Sequence, residues 1–137
     1  MYTCHRYGGG TDANAIRSFI EFRDRHNRPM YMGEIGHNTD EWMASFCKTM
    51  VDNNIGYTFW PYKKIHNSSF VGIKAPEGWR KIIAFSEAPR GTYNEIRKAR
   101  PNQEEARKIL MQFIENSRFE NCNIQKGYIR AIQLKAD

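Results

Sequence analysis

Apolar residues recur at helical spacing between Thr11 and His26, with Ala15, Ile16, Phe19, Ile20 and Phe22 behind the good N-cap residues Thr11 and Asp12. This predicts an amphipathic helix of about four turns, broken at Asn27-Arg28-Pro29. The following run, Pro29 to Ile35 (PMYMGEI), reads as a short strand of the largely apolar kind found in parallel sheets. A second helix is expected from a cap at Asn38 or Thr39, with Glu41 three residues after Asn38 in capping-box position. Its apolar stripe is Trp42, Met43, Phe46, Cys47, Met50 and Val51, and Asn53-Asn54 ends it. Ile55 to Trp60 (IGYTFW) then predicts another strand, closed by Pro61.

Strands alternating with amphipathic helices imply βαβ units, right-handed crossovers and a parallel sheet. Tyr7 to Glu34 is 27 residues and Glu34 to Trp60 is 26, so all three positions are expected at one end of that sheet. Strict alternation puts Met30, Met32 and Glu34 on one face of their strand and Tyr31, Gly33 and Ile35 on the other. In the next strand it separates Gly56, Thr58 and Trp60 from Ile55, Tyr57 and Phe59.

Beyond Trp60 a long polar loop is expected, then a short helix from Glu77 to Phe85, a turn of helix over Tyr93 to Ala99, and a longer helix from Gln103 to Ser117. Tyr128 to Leu134 reads as a strand or an extended segment packed on the outside.

Composition changes this picture little. An apolar content of 40% and a charged content of 26% are ordinary for a globular chain, and 137 residues are read as one domain or a piece of one. No run approaches the about 18 apolar residues of a membrane span, and no signal-peptide core follows Met1. The net charge of +6 is concentrated: residues 1 to 62 hold six Lys/Arg against seven Asp/Glu, and residues 63 to 137 hold fifteen against eight. The basic residues Arg97, Lys98, Arg100, Arg107 and Lys108 are interleaved with Glu95, Glu104 and Glu105, which favours a solvated helical face over a nucleic-acid site. Cys4, Cys47 and Cys122 are odd in number and widely spaced, so neither a disulfide framework nor a metal site is expected. Asn67-Ser68-Ser69 matches a glycosylation acceptor, a triplet that arises by chance and carries no weight.

Candidate chemistry centres on Glu34. A carboxylate near the end of a buried strand needs a partner or a function. Trp60 presents an indole at the mouth of the next strand, either as an ordinary core tryptophan or as a stacking surface. His5 and Tyr7, two residues apart, project together before Gly8-Gly9-Gly10, which lacks the pattern of a phosphate cradle and reads as a turn.

The order His5-Arg6-Tyr7, Gly33-Glu34, Phe59-Trp60 resembles the last three barrel strands of the cellulase-type enzymes of glycoside hydrolase family 5. The resemblance covers residues 2 to about 64 closely and the remainder loosely. It implies a partial (β/α)8 barrel, approximately strands six to eight with their helices, within a single catalytic domain of which residues 1–137 are the C-terminal part. By position, it implies that Glu34 is the nucleophile of a retaining mechanism, that Tyr7 hydrogen-bonds and orients it, and that His5 contacts the sugar or the acid/base side. It implies further that Trp60 forms a sugar platform and that Tyr62, Lys63 and Lys64 add substrate hydrogen bonds. No cofactor or metal is implied, and the expected partner is a β-linked oligo- or polysaccharide outside the cell, reached by secretion or in the periplasm or at the cell surface.

Retaining hydrolysis needs a second carboxylate about 5 Å from the first. In the family that group follows an Asn at the end of strand four, and Glu41, Glu77 and Glu87 do not read as substitutes. Since a full barrel takes about 250 residues, the N-terminal strands are expected to be missing and the piece alone to be inactive, weakly stable and prone to associate. A non-catalytic carbohydrate-binding module on the same fold is the alternative expectation. Nucleic-acid binding through Tyr93 and Tyr128 is a third and least supported one.

Overall fold

The computed structural model describes residues 1–65 and 68–133, which leaves Asn67 of the acceptor triplet and Leu134 of the predicted terminal segment outside the described residues. The chain is mixed α/β and divides into two compact units. The first comprises Met1–Gly72 together with the chain from Ile124 onward, and the second is Ile73–Asn123.

The first unit is built on a parallel three-stranded sheet in the order β1 (Tyr2–Arg6), β2 (Met30–Gly36), β3 (Gly56–Trp60). The connections are α1 (Arg17–His26) and α2 (Asp40–Asp52), so the βαβ pattern expected from the sequence is present and the sheet is open. The first helix enters through a 3-10 turn at Ala13–Ile16, capped by the Asp12 carboxylate on the Ala15 N–H at 2.9 Å. Thr39, of the two candidates, caps α2 by accepting from the Trp42 N–H at 3.2 Å.

The core lies between one face of this sheet and the helices. Met32 and Ile35 from β2 meet Met43, Phe46, Cys47 and Met50 from α2, all fully buried, while Val51 at the edge of the predicted stripe faces solvent. The sheet's other face is left uncovered at Thr3, His5, Gly56, Thr58 and Trp60.

Two expectations are corrected here. The terminal segment is a helix, α6 (Lys126–Ala131), and not extended: Tyr128, Ala131 and Ile132 fall at helical spacing and all three are buried in the core. The chain after Trp60 is also less loop-like than expected, because Lys63 and Lys64 form β4, parallel to β5 (Val71–Gly72), in a small second sheet completed by β6 (Asn123–Ile124).

In the second unit α3 (Trp79–Glu87) begins two residues later than predicted, α4 (Tyr93–Ala99) has the predicted bounds, and α5 (Gln103–Asn116) ends one residue early. Gly78 precedes α3 with φ +76°, a left-handed backbone that favours glycine. A full capping box at Thr92 and Glu95 starts α4. Trp79 stacks on Phe113 with ring centroids 4.8 Å apart, which ties α3 to α5.

Candidate active site on the open face of the sheet

Glu34 owes its position to an irregularity in β2. Cys4 pairs with Met32 but His5 pairs with Glu34, and on the other side Met32 pairs with Tyr57 but Ile35 with Phe59. The middle strand therefore carries one residue more than either neighbour between these points, a β-bulge that reverses the side-chain alternation. Met32 and Ile35, an odd three apart, both enter the core, and Glu34 is turned to the opposite, open face. The expectation that Glu34 shares a face with Met30 and Met32 is thus overturned, because alternation counts residues and the bulge adds one.

Gly33 is the residue that tolerates this arrangement. A Cβ there would lie 2.5 Å from the Thr3 hydroxyl oxygen and 3.0 Å from His5 Nε2, too close for any side chain without displacement. Its carbonyl oxygen accepts from the Thr58 hydroxyl on β3. Gly36, at the end of β2, is constrained in a different way: with φ +136°, an added Cβ would collide with the Trp60 carbonyl oxygen.

Three of the sequence-predicted residues meet. The Tyr7 hydroxyl donates to Oε2 of Glu34, and His5 Nδ1 lies 3.6 Å from the same oxygen. This close bond to a carboxylate, followed by desolvation, holds the Tyr7 phenol above its ordinary range, so at neutral pH it is a proton donor. The Glu34 side chain is 31% exposed, accessible to a ligand and still half-enclosed. Tyr7 is itself fixed through its backbone, since its carbonyl accepts from Asn38 Nδ2 at 2.9 Å, and Trp42 Nε1 donates to the nearby Gly9 carbonyl at 2.8 Å.

Trp60 ends β3 on the same face as Thr58 and is 55% exposed, unlike an ordinary core tryptophan. Tyr62 is also exposed, with its ring edge-on to Phe70 at 6.1 Å. Lys63 and Lys64 are held in β4, and Lys64 Nζ lies 3.2 Å from His37 Nδ1. Partial burial lowers the Lys64 ammonium pKa. Of the predicted residues, His5, Tyr7 and Glu34 accordingly form a coupled set, while Lys64 is engaged with His37 and the rings of Trp60 and Tyr62 stand exposed.

Reading the sequence missed Thr58 and Asn38 as supports of the site. Thr58 was legible only as sharing a strand face with Gly56 and Trp60, and Asn38 only as a helix-cap candidate. The contacts that give them roles span 25 and 31 residues of chain.

Glu41 merits comparison with Glu34 because both are carboxylates of the first unit. Glu41 stands in the first turn of α2, where its own backbone N–H and the Thr39 hydroxyl favour the ionised form and lower its pKa. A group so arranged serves the helix and is a poor proton donor. Among the described residues no cluster of His, Cys, Asp and Glu is placed to hold a metal ion, and no helix is long and apolar enough to cross a membrane. Compared with known proteins, the chain matches no family model, no curated protein and no solved structure.

Proposed function

We propose that these residues are the nucleophile-bearing part of a retaining β-glycosidase, acting on a β-linked polysaccharide of the cellulose or hemicellulose type outside the cell. The observation that carries the reading is the convergence of the Tyr7 hydroxyl and the His5 imidazole on one oxygen of Glu34, near the carboxyl ends of three parallel strands. In (β/α)8 enzymes the catalytic groups stand at those ends. Parallel sheets are ordinarily covered on both faces, so the open face bearing Glu34 is also what a partial barrel of about strands six to eight would present.

The roles follow from the chemistry. Glu34 attacks the anomeric carbon through one carboxylate oxygen, and a phenol donating to the other keeps the attacking group ionised and oriented. His5 lines the same oxygen and is placed to contact the sugar. Trp60 offers an exposed indole for the apolar face of a pyranose ring, with Tyr62, Lys63 and Lys64 assigned to more distant hydroxyls. The mechanism needs a second, protonated carboxylate about 5 Å away. Glu41 is unsuited to it, so the proposal assigns that group to polypeptide beyond these 137 residues and expects residues 1–137 alone not to turn over substrate.

The test is Glu34→Gln in a polypeptide that also supplies the acid/base segment, assayed on β-glucan and β-mannan. Loss of nearly all turnover with oligosaccharide binding retained is the expected result. Unchanged turnover would remove Glu34 from the mechanism. Tyr7→Phe, which keeps the ring and removes the donor, is expected to lower kcat more than it changes KM.

A further inference from the structure

We propose that the groove between α3 and α5 in the second unit is a docking site for an acidic amphipathic helix of a partner protein. The groove has a volume of about 830 Å³ and is floored by Ile82 and Phe85 of α3 and by Leu110 and Met111 of α5. Leu110 is 44% exposed and Met111 56%, so the apolar stripe of α5 is only partly used within its own unit.

The rim supplies the sign of the partner. Arg100 and Arg107 are the charged groups of the lining, which contains no carboxylate. Neither guanidinium enters an ion pair among the described residues: of the carboxylates between them in sequence, Glu105 is paired with Lys81, and Glu104 is not paired with either arginine and lies outside the lining. Arg90 adds a third cation beside the floor, its guanidinium 4.8 Å from the centre of the Phe85 ring. An apolar floor between unpaired arginines complements a helix with apolar side chains on one face and Asp or Glu on its flanks.

Dimensions agree with that occupant. The lining runs along α5 from Gln103 to Met111, a rise of about 12 Å at 1.5 Å per residue, which accommodates two to three turns of a docked helix. Met111 adds an adaptable surface of the kind that accepts varied apolar side chains. A small polar ligand fits poorly, because such sites need polar groups set within an enclosed apolar pocket and here the charged groups are exposed arginines. The surface belongs wholly to Ile73–Asn123 and is independent of the glycosidase reading.

The experiment uses the 137-residue chain and two fluorescein-labelled synthetic three-turn peptides, both with Leu at i, i+3, i+4 and i+7. One carries Glu at the flanking positions and the other Lys. Fluorescence anisotropy is expected to give saturable binding of the Glu peptide, weakened by salt, and at least about tenfold weaker binding of the Lys peptide. Arg100→Glu/Arg107→Glu, two exposed changes whose folding is checked by circular dichroism, should reverse that preference, and Leu110→Asp should abolish binding of both. No binding of the Glu peptide, or equal binding of the two, would overturn the proposal. So would sedimentation showing that a second copy of the chain fills the groove through Leu110, or binding confined to phosphatidylserine-containing vesicles.

Discussion

The helix α2 of the first unit and the helix α5 of the second are similar in length and both amphipathic, yet their apolar stripes have different fates. Four residues of α2 are fully buried against the sheet and α6, and α5 buries only Ile109 among its described residues. A helix needs an apolar partner surface to realise its pattern, and the parallel sheet is such a surface for α2, while α5 meets the shorter helix α3, through Phe113 on Trp79. The difference also separates the two proposals: the sheet covered by α2 on one face carries the Glu34 cluster on the other, and the proposed docking groove uses the apolar side chains that the second unit leaves exposed.

The comparison is broken most directly by truncating one residue in each unit. Phe46→Ala removes a buried ring stacked on Trp42 at 4.7 Å and is expected to cost about 3–5 kcal/mol in urea unfolding. Leu110→Ala, on the half-exposed stripe, is expected to cost about 1 kcal/mol or less. Equal costs would mean that the second unit has a core as complete as the first.

A smaller effect should appear at alkaline pH and only through the first unit. Burial, above all, raises Cys47 from 9.0 to about 11, and it raises Tyr57 and Tyr128 from 10.0 to about 12. Each group keeps its proton in the folded state after the unfolded chain has lost it, so unfolding releases protons above about pH 9. The stability these groups contribute is therefore complete below pH 9 and is lost progressively as the pH rises toward 12. Hydrogen exchange followed from neutral to alkaline pH, corrected for intrinsic rates, should show β2 and α2 losing protection. Tyr128→Phe should reduce that loss without harming stability at neutral pH, because the Tyr128 hydroxyl is buried with no partner among the described residues. Undiminished protection in the parent chain would mean that these groups titrate alike in both states.

The smallest effect sharpens the picture of the second unit. Thr92→Ala removes the capping box of α4 and should destabilise that helix by about 1 kcal/mol, read as faster exchange of its first-turn amides with β2 unaffected.

Much of the first unit was legible because its signals are local. The caps at Asp12 and Thr39, the stripe of α2 and the shared face of Gly56, Thr58 and Trp60 each depend on residues a few positions apart. The terminal helix was misread because Tyr128, Ala131 and Ile132 form too short a period to separate from a strand, and burial in the distant core completes it. Glu34, Tyr7 and His5 were legible as candidates through their residue types and near-equal spacing, and through the resemblance those spacings carry.

The direction in which Glu34 points lay beyond any reading of alternation. Hydrophobic periodicity determines which segments become helices and strands, since it records what each turn or pleat presents to an apolar partner. It cannot register a bulge, because the extra residue in β2 exists only relative to the pairing of both neighbouring strands. Tertiary pairing alone decided that Met32 and Ile35 would turn inward and that Glu34, one residue out of step, would face His5 and Tyr7 in the open.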